Sequence, residues 1–464
     1  MSGPTSDRAT IVLDIGKTNC KLSLLDAQGA SLAEERCPNT IDISGPYPHH
    51  DTGRIWAWML EVVGRFATLA TVGAIVPVTH GATAALVNPA EPDGLVLPVL
   101  DYEFKLPEAF DLQYASVRPL FSETCSPALP AGLNLGRQLA WLAQAYPAEF
   151  GRATQILMYP QYWAWRLSGV VASEITSLGC HTDLWNPASR DYSSLVGQMA
   201  WAHLFPPMQN AWSSLGPIHP HLSARTGLPA DCQIICGIHD SNASLLRYVA
   251  GPAAGTVRTV LSTGTWLIAA SIGGPIDALD EHQDMLTNSD VFGAPVACMR
   301  FMGGREYGAL AGSQPADCTQ DDLERLIRQN TFALPCFAES GGPFAGQPGR
   351  VVGPQPTNPA ERSALATLYA VLMTDYCLSA LGSSSPVVVE GSFTGNRFFG
   401  PLLAGLRPGQ AVALSDDSSG TTCGGWMLHR WGCSPLVTES AAQALCPLGW
   451  LAYRDQWLVQ VLAF

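Results

Sequence analysis

The chain has 464 residues, 47% of them hydrophobic and only 14% charged, with 44 glycines, 35 prolines and a formal net charge of −14. That composition implies two to three well-filled globular domains with many tight turns, and it excludes a disordered chain. The acidic balance, with no basic stripe, argues against nucleic acid as a main partner.

Thirteen cysteines, without CxxC pairs or Cys/His metal spacing, read as buried thiols in a reducing compartment. No apolar signal core follows Met1. The most apolar stretch, Phe66 to Val87, is interrupted by Pro77, His80 and two glycines, which suits two buried strands and a turn better than a membrane helix. A soluble cytoplasmic protein with no membrane partner is expected.

Residues 9–36 read as a β-meander, with Leu22 and Leu24 alternating with Lys21 and Ser23. Ile55 to Ala70 has helical spacing. Val72 to Val78 reads as a strand ending at Thr79-His80-Gly81, Ala84 to Val87 as the next, and Leu95 to Leu100 as a third leading into Asp101-Tyr102-Glu103. Leu135, Leu139, Leu142, Ala143 and Tyr146 share a helical face, and Pro147 is the stop. Gln161 to Leu167 is a short aromatic helix closed by Ser168-Gly169, and Val170 to Trp185 is β-rich. The Pro-, His- and Gly-rich residues 215–232 place a lobe boundary there or slightly after. Gln233 to Asp240 then reads as a buried strand entering a turn, and Ser241 to Val249 as a helix. Thr259 to Ala269 repeats the opening plan of strand, Gly–Thr turn and strand. A long helix is predicted from Pro359 to Leu381, capped by Asn358 and ended by Gly382. Pro386 to Ser392 is a strand running into a Gly turn, and Ser418 to Trp426 a small-residue loop opening an apolar helix.

Four segments hold chemistry. In the first, Asp14 ends a strand and faces a polar turn, where a carboxylate suits a Mg²⁺–water shell. Gly16 lets the backbone approach an anion, and Lys17, Thr18 and Asn19 offer donors to phosphate oxygens. A surface hairpin capped by Asp and Asn reads equally well. In the second, Asp240 lies between a strand end and a helix start, as a base within reach of a hydroxyl or as a helix cap. In the third, Ser262, Thr263, Gly264 and Thr265 offer hydroxyls and amides to β- and γ-phosphates, or form a Thr-rich hairpin. In the fourth, Glu390-Gly391-Ser392 and the run Ser419 to Gly424, Gly420 included, leave room for a base and ribose, or for close helix packing.

Taken in this order, the motifs resemble the FGGY family of carbohydrate kinases, within the sugar kinase/Hsp70/actin superfamily, over nearly the whole chain. The family's opening Asp-x-Gly-Thr-(Thr/Ser)-x-x-(Lys/Arg) is similar to Asp14 to Lys21, with Lys17 replacing the usual first Thr. Its Gly-x-x-Asp segment matches Gly237 to Asp240, so the family's general base falls on Asp240. Its second phosphate turn matches Ser262 to Thr265. Its sugar-side His-Gly turn matches His80-Gly81, and its acidic sugar contact resembles Asp101. Tyr159 to Gly169, followed by Glu174 to Ser177, resembles a further family stretch. Two places depart: Glu390-Gly391-Ser392 stands where Gly-Gly-(Gly/Ala) is usual, and Ser340 to Phe344 lacks the usual charged pair.

The resemblance implies an α/β architecture of two ribonuclease-H-like lobes with a cleft between them. Residues 1–230 would form the N-terminal lobe, with the sugar site and the first phosphate turn. Residues 231–464 would form the C-terminal lobe, with ATP and the catalytic aspartate. Asp14, Gly16, Lys17, Thr18, Asn19, Lys21, Ser262–Thr265, Glu390–Ser392 and Gly420 would hold ATP, with Mg²⁺ near Asp14. Thr79, His80, Gly81, Asp101, Glu103, His239 and Asp240, with Trp163 or Trp165 for stacking, would hold a small-molecule sugar. Gly-x-His-Asp and Ser-Thr-Gly-Thr-Trp look more like kinases of L-rhamnulose, L-fuculose and related ketoses than like glycerol kinase. A monomer or homodimer is expected. The competing readings are a non-catalytic sugar sensor on the same fold and a chaperone- or actin-like ATPase.

Overall fold

The computed structural model describes residues 7–251, 255–416, 420–433 and 438–463. The chain divides into two units, residues 1–255, 287–295 and 419–435 in the first and 256–286, 296–418 and 436–464 in the second. The boundary therefore falls after Gly255, later than the expected 230. The reason is pairing: strand Gln233–Ile235 adds to the first unit's sheet beside Val72–Thr79, and helix Asp240–Val249 follows from it.

Each unit is built on one mixed sheet, and the two sheets follow one plan. In the first unit the order is Ser31–Pro38, Asn19–Leu25, Ala9–Ile15, Val72–Thr79, Gln233–Ile235 and Ser214–Pro217. In the second it is Pro295–Phe301, Leu267–Ile272, Arg258–Thr263, Val387–Gly391, Val412–Ser415 and Glu439–Ala441. In both, the outer three strands on one side pair antiparallel, the middle three run parallel, and the last strand turns antiparallel again. This is the expected mixed α/β architecture with two sheet-bearing lobes.

The central strand Val72–Thr79 is buried at all eight positions, as a parallel strand covered on both faces must be. Helices Tyr159–Ser168 and Gly420–His429 pack on it. The second of these explains its small residues. A Cβ on Gly425 would lie 2.6 Å from Val12 Cγ1, and one on Gly424 would fall on the carbonyl oxygen of Ala243. Here the packing reading of the small-residue run holds; its Ser418 and Ser419 lie outside the described residues.

The predicted long helix spans Pro359–Ala380, and the Asn358 side chain accepts from Glu361 N as its cap. It is long and apolar enough to cross a membrane, yet 83% of its most apolar window is buried in the second unit's core.

Two expected β segments do not form. Leu95 to Leu100 makes only isolated bridges, Val87 to Leu95 and His49 to Leu100, because Pro98 has no N–H for a ladder. Val170 to Trp185 contains a helical turn, Ile175–Leu178, whose Thr176 N–H is held by the Glu174 carboxylate; only Trp185 belongs to a strand. None of the thirteen cysteines is in a disulfide, and all but Cys37, Cys433 and Cys446 are buried.

Candidate active site

The register of the first sheet gathers one end of the site. Asp14 and Ile15 pair with Val78 and Thr79, and Ile238 and His239 pair with the same two residues from the other side. Three parallel segments therefore end together. Asp14, Thr79-His80-Gly81 and His239-Asp240 stand at their carboxyl ends, where open α/β sheets bind ligands.

Asp240 is the first residue of its helix and lies next to the capping position, which His239 fills. Its carboxylate accepts from Ser241 N–H at 2.5 Å, and its side chain is 29% exposed. Desolvation, with the Asp14 charge next, pushes its pKa up to about 6. The carboxylate is thus ionised at neutral pH and more basic than an ordinary aspartate, which suits a general base. The Asn242 amide donates to His239 Nδ1 at 3.3 Å, so the ring proton resides on Nε2, 3.2 Å from Asp240 Oδ1. Burial holds His239 neutral, with a pKa lowered to about 4. Gly81 makes room for this ring: a Cβ there would lie 2.7 Å from His239 Nε2.

His80 faces the same group. Its Nδ1 lies 3.0 Å from the Gly81 carbonyl oxygen and donates to it, so Nε2 is an acceptor, buried and without a partner among the described residues. Burial lowers its pKa, so the ring is neutral. His50, which the sequence motifs do not include, lies with its ring tilted 5.1 Å from His80 and 5.5 Å from Tyr159; both its ring nitrogens are also buried and without a partner among the described residues. Nothing in the sequence marks it beyond a His-His pair, which the structure places in the short strand His49–His50. Thr79 spends its hydroxyl on the His80 carbonyl and is structural.

Asp101 is buried, and Glu103 beside it is exposed. Lys17, expected among the phosphate ligands, extends instead to Asp101, with its Nζ 3.3 Å from Glu103 Oε2 and 4.9 Å from the Tyr102 ring centroid. The expected stacking tryptophans are not available: Trp163 is fully buried in the core, and Trp165 is packed against Gly94.

At the first hairpin, Gly16 N–H closes the turn on the Asn19 carbonyl oxygen at 2.9 Å, leaving Thr18 and Asn19 exposed. Lys21 Nζ lies 3.4 Å from Asp14 Oδ2, and Thr421 Oγ1 donates to the same oxygen at 2.8 Å. Gly420 thus belongs to the first unit, beside Asp14, and not with the residues of the second. Among the described residues no group of three or more His, Cys, Asp or Glu could hold a metal. Mg²⁺ keeps most of its waters and takes one or two carboxylates plus phosphates, so Asp14 fits an ion that arrives with a nucleotide.

The second unit presents a matching turn. Its register sets Ser262 and Thr263 opposite Glu390 and Gly391, as Asp14 and Ile15 stand opposite Val78 and Thr79. Ser262 and Thr265 are exposed, whereas Thr263 is buried. The Thr263 hydroxyl donates to the Glu390 carbonyl and accepts from Phe393 N–H at 3.0 Å, so it ties the two turns together. Gly391 has φ +81°, and a Cβ there would fall on the Thr263 carbonyl oxygen. A cavity of about 500 Å³ opens beside this turn, lined by Ser392, Phe393, Asn396, Gly304, Tyr307 and Cys318 among others. Three aromatic rings, counting Phe398, with an amide and two glycines, Gly304 and Gly395, fit a purine and its ribose. This cavity, rather than Glu390, is the feature that the sequence motif did not reveal.

Residues 120–247 match the description "FGGY family of carbohydrate kinases, N-terminal domain", and residues 255–436 match "Carbohydrate kinase FGGY, C-terminal domain". A carbohydrate kinase from Novosphingobium aromaticivorans superposes with a TM-score of 0.90 at 38% identity, over 97% of this chain and 100% of that one. A xylulose kinase from Lactobacillus acidophilus shares the fold, with a TM-score of 0.78 at 14% identity over 98% and 97% of the two chains. L-fuculokinase of Escherichia coli K12 is 26% identical over 282 residues, 58% of this chain. The match spans 57% of that relative's length. With both family domains matched in order and a relative covered end to end at 38% identity, the chain belongs to the FGGY family of carbohydrate kinases.

Proposed function

We propose that the protein is an ATP-dependent sugar kinase that phosphorylates a hydroxyl of a ketose, with Asp240 as the general base. The observation that supports this most is Asp240 itself: a carboxylate with its pKa raised to about 6, at the carboxyl ends of parallel strands, beside His80 with its unpartnered Nε2. Asp240 takes the proton of the acceptor hydroxyl, and His239 Nε2 holds the carboxylate in position. His80 Nε2 accepts from one sugar hydroxyl, and Asp101 and Glu103 accept from others. Ser262 and Thr265 bind phosphate oxygens, while the Gly264 N–H closes its turn on the Trp266 carbonyl oxygen at 2.8 Å. The cavity at Phe393 and Tyr307 holds the base and ribose. Bound ATP supplies the phosphoryl group, and Mg²⁺ offsets its charge. The residues contribute positioning and electrostatics, as phosphoryl transfer requires.

L-Fuculose stands first among the acceptors, because L-fuculokinases are among the relatives and the Gly237-Ile238-His239-Asp240 segment favours ketoses. L-Rhamnulose and the ketopentoses follow. Coupled ADP release across L-fuculose, L-rhamnulose, L-xylulose, L-ribulose and D-xylulose tests the reading. Turnover with at least one sugar is expected, reduced on the order of 10²–10⁴-fold in Asp240→Asn. A near-wild-type rate in that variant removes Asp240 as base. Sugar binding with no turnover of any sugar leaves the sensor.

A further inference from the structure

The opening hairpin contains two lysines, and they point to different carboxylates. Lys21 reaches Asp14, at the end of its own strand pair. Lys17, at the turn, reaches across to Asp101-Tyr102-Glu103 and touches all three: the Asp101 carboxylate, the Tyr102 ring face and the Glu103 carboxylate at 3.3 Å. Its side chain is only 18% exposed, so the ammonium is held and not waving in solvent. Tyr102 in turn lies edge-on to His80 at 5.4 Å, and the Lys17 charge is among the causes that keep His80 and His50 neutral. Every group around the ammonium therefore belongs to the acceptor side. The phosphate donors of the same turn, Thr18 and Asn19, are exposed apart from it.

We propose that Lys17 is an acceptor-specificity residue, which with Asp101 and Glu103 selects neutral polyols over sugar acids. This rests on the acceptor site named above. The chemistry is a donor beside acceptors. An ammonium offers three N–H donors and no acceptor, and an ionised carboxylate only accepts. Side by side, Lys17 and Asp101 match a vicinal diol, one hydroxyl oxygen accepting from Nζ and the neighbouring O–H donating to the carboxylate. Two carboxylates against one ammonium leave the triad with a net negative charge. An acceptor bearing its own carboxylate, such as an aldonate, meets like charge there. The single cation also has its donors drawn to Asp101 and Glu103, so it is not free to neutralise such a substrate.

The test compares wild type, Lys17→Thr and Lys17→Arg. Steady-state KM values are measured for ATP and for the best sugar of the ketose panel, and calorimetric binding is measured for that sugar and for the aldonate of its isomeric aldose. Lys17→Thr is expected to weaken the sugar KM and affinity about 10-fold or more, the loss of a charge-assisted hydrogen bond, with the ATP KM within about 2-fold. Lys17→Arg, which keeps the cation, is expected to recover part of the sugar affinity. The aldonate is expected to bind the wild type at least about 10-fold more weakly than the ketose. A raised ATP KM with unchanged sugar affinity makes Lys17 a phosphate ligand and overturns the proposal, as does preferred binding of the aldonate. Absence of turnover in the wild type with sugar binding intact overturns the kinase reading alone, because the Lys17 effect is still read from the calorimetry. A wild type that binds no sugar overturns both.

Discussion

Replacing Asp240 by Asn should make the protein more stable while removing its activity. The folded carboxyl has a pKa of about 6 against an ordinary value of 3.8, so the folded state holds its proton more tightly than the unfolded chain. A raised acid contributes stability that is fully present below pH 3.8 and is lost as pH rises through 6, so above pH 6 the ionised group destabilises the fold. Two pKa units correspond to about 3 kcal/mol, an upper bound for a side chain that keeps some contact with water. Asn has no charge to desolvate, and its oxygen can still accept from Ser241 N–H and His239 Nε2. Chemical denaturation at pH 7.5 should therefore show Asp240→Asn more stable than wild type by about 1–3 kcal/mol. The difference should shrink steadily between pH 6 and pH 4, where the wild-type carboxyl becomes neutral in both states. A variant less stable at pH 7.5, or a gain that does not fall with pH, would refute the assignment of desolvation as the cause. The same titration predicts that kcat/KM of the wild type falls about tenfold from pH 7 to pH 5 as the base protonates.

Other perturbations separate roles. Asn242→Ala removes the donor to His239 Nδ1, frees the ring to take the other tautomer, and should lower kcat about tenfold with the ATP KM unchanged; an unaltered kcat would show that His239 needs no such hold. Thr263→Val leaves the Phe393 N–H and the Glu390 carbonyl without their shared hydroxyl, so it should cost about 1–3 kcal/mol and raise the ATP KM, read by denaturation and by initial rates. Gly425→Val forces methyl groups onto Val12 and Val78, and should destabilise the first unit by more than about 3 kcal/mol; soluble expression at wild-type stability would contradict the packing.

The sequence by itself determined what is local. The two Gly–Thr hairpins, the central strand Val72–Thr79, the Asn358-capped helix and the strand–Asp240–helix elbow all follow from periodicity, caps and turn residues, which act between near neighbours. The family motifs point to Asp14, His80, Asp101 and Asp240 for the same reason, each motif being a short run of neighbours. Local pattern failed where another force outweighed it. Leu95 to Leu100 has strand composition but Pro98 breaks its ladder, and Val170 to Trp185 turns around the buried Glu174 carboxylate. What only the tertiary structure decided is which distant groups meet. Thr421 donates to Asp14 from 407 residues away, Lys17 crosses 84 residues to Asp101, and His50 comes to rest on His80. Such meetings depend on sheet register and on where each strand ends, which no window of the sequence contains. A flexible lysine beside a phosphate-type turn reads as a phosphate ligand until the fold brings two carboxylates within its reach.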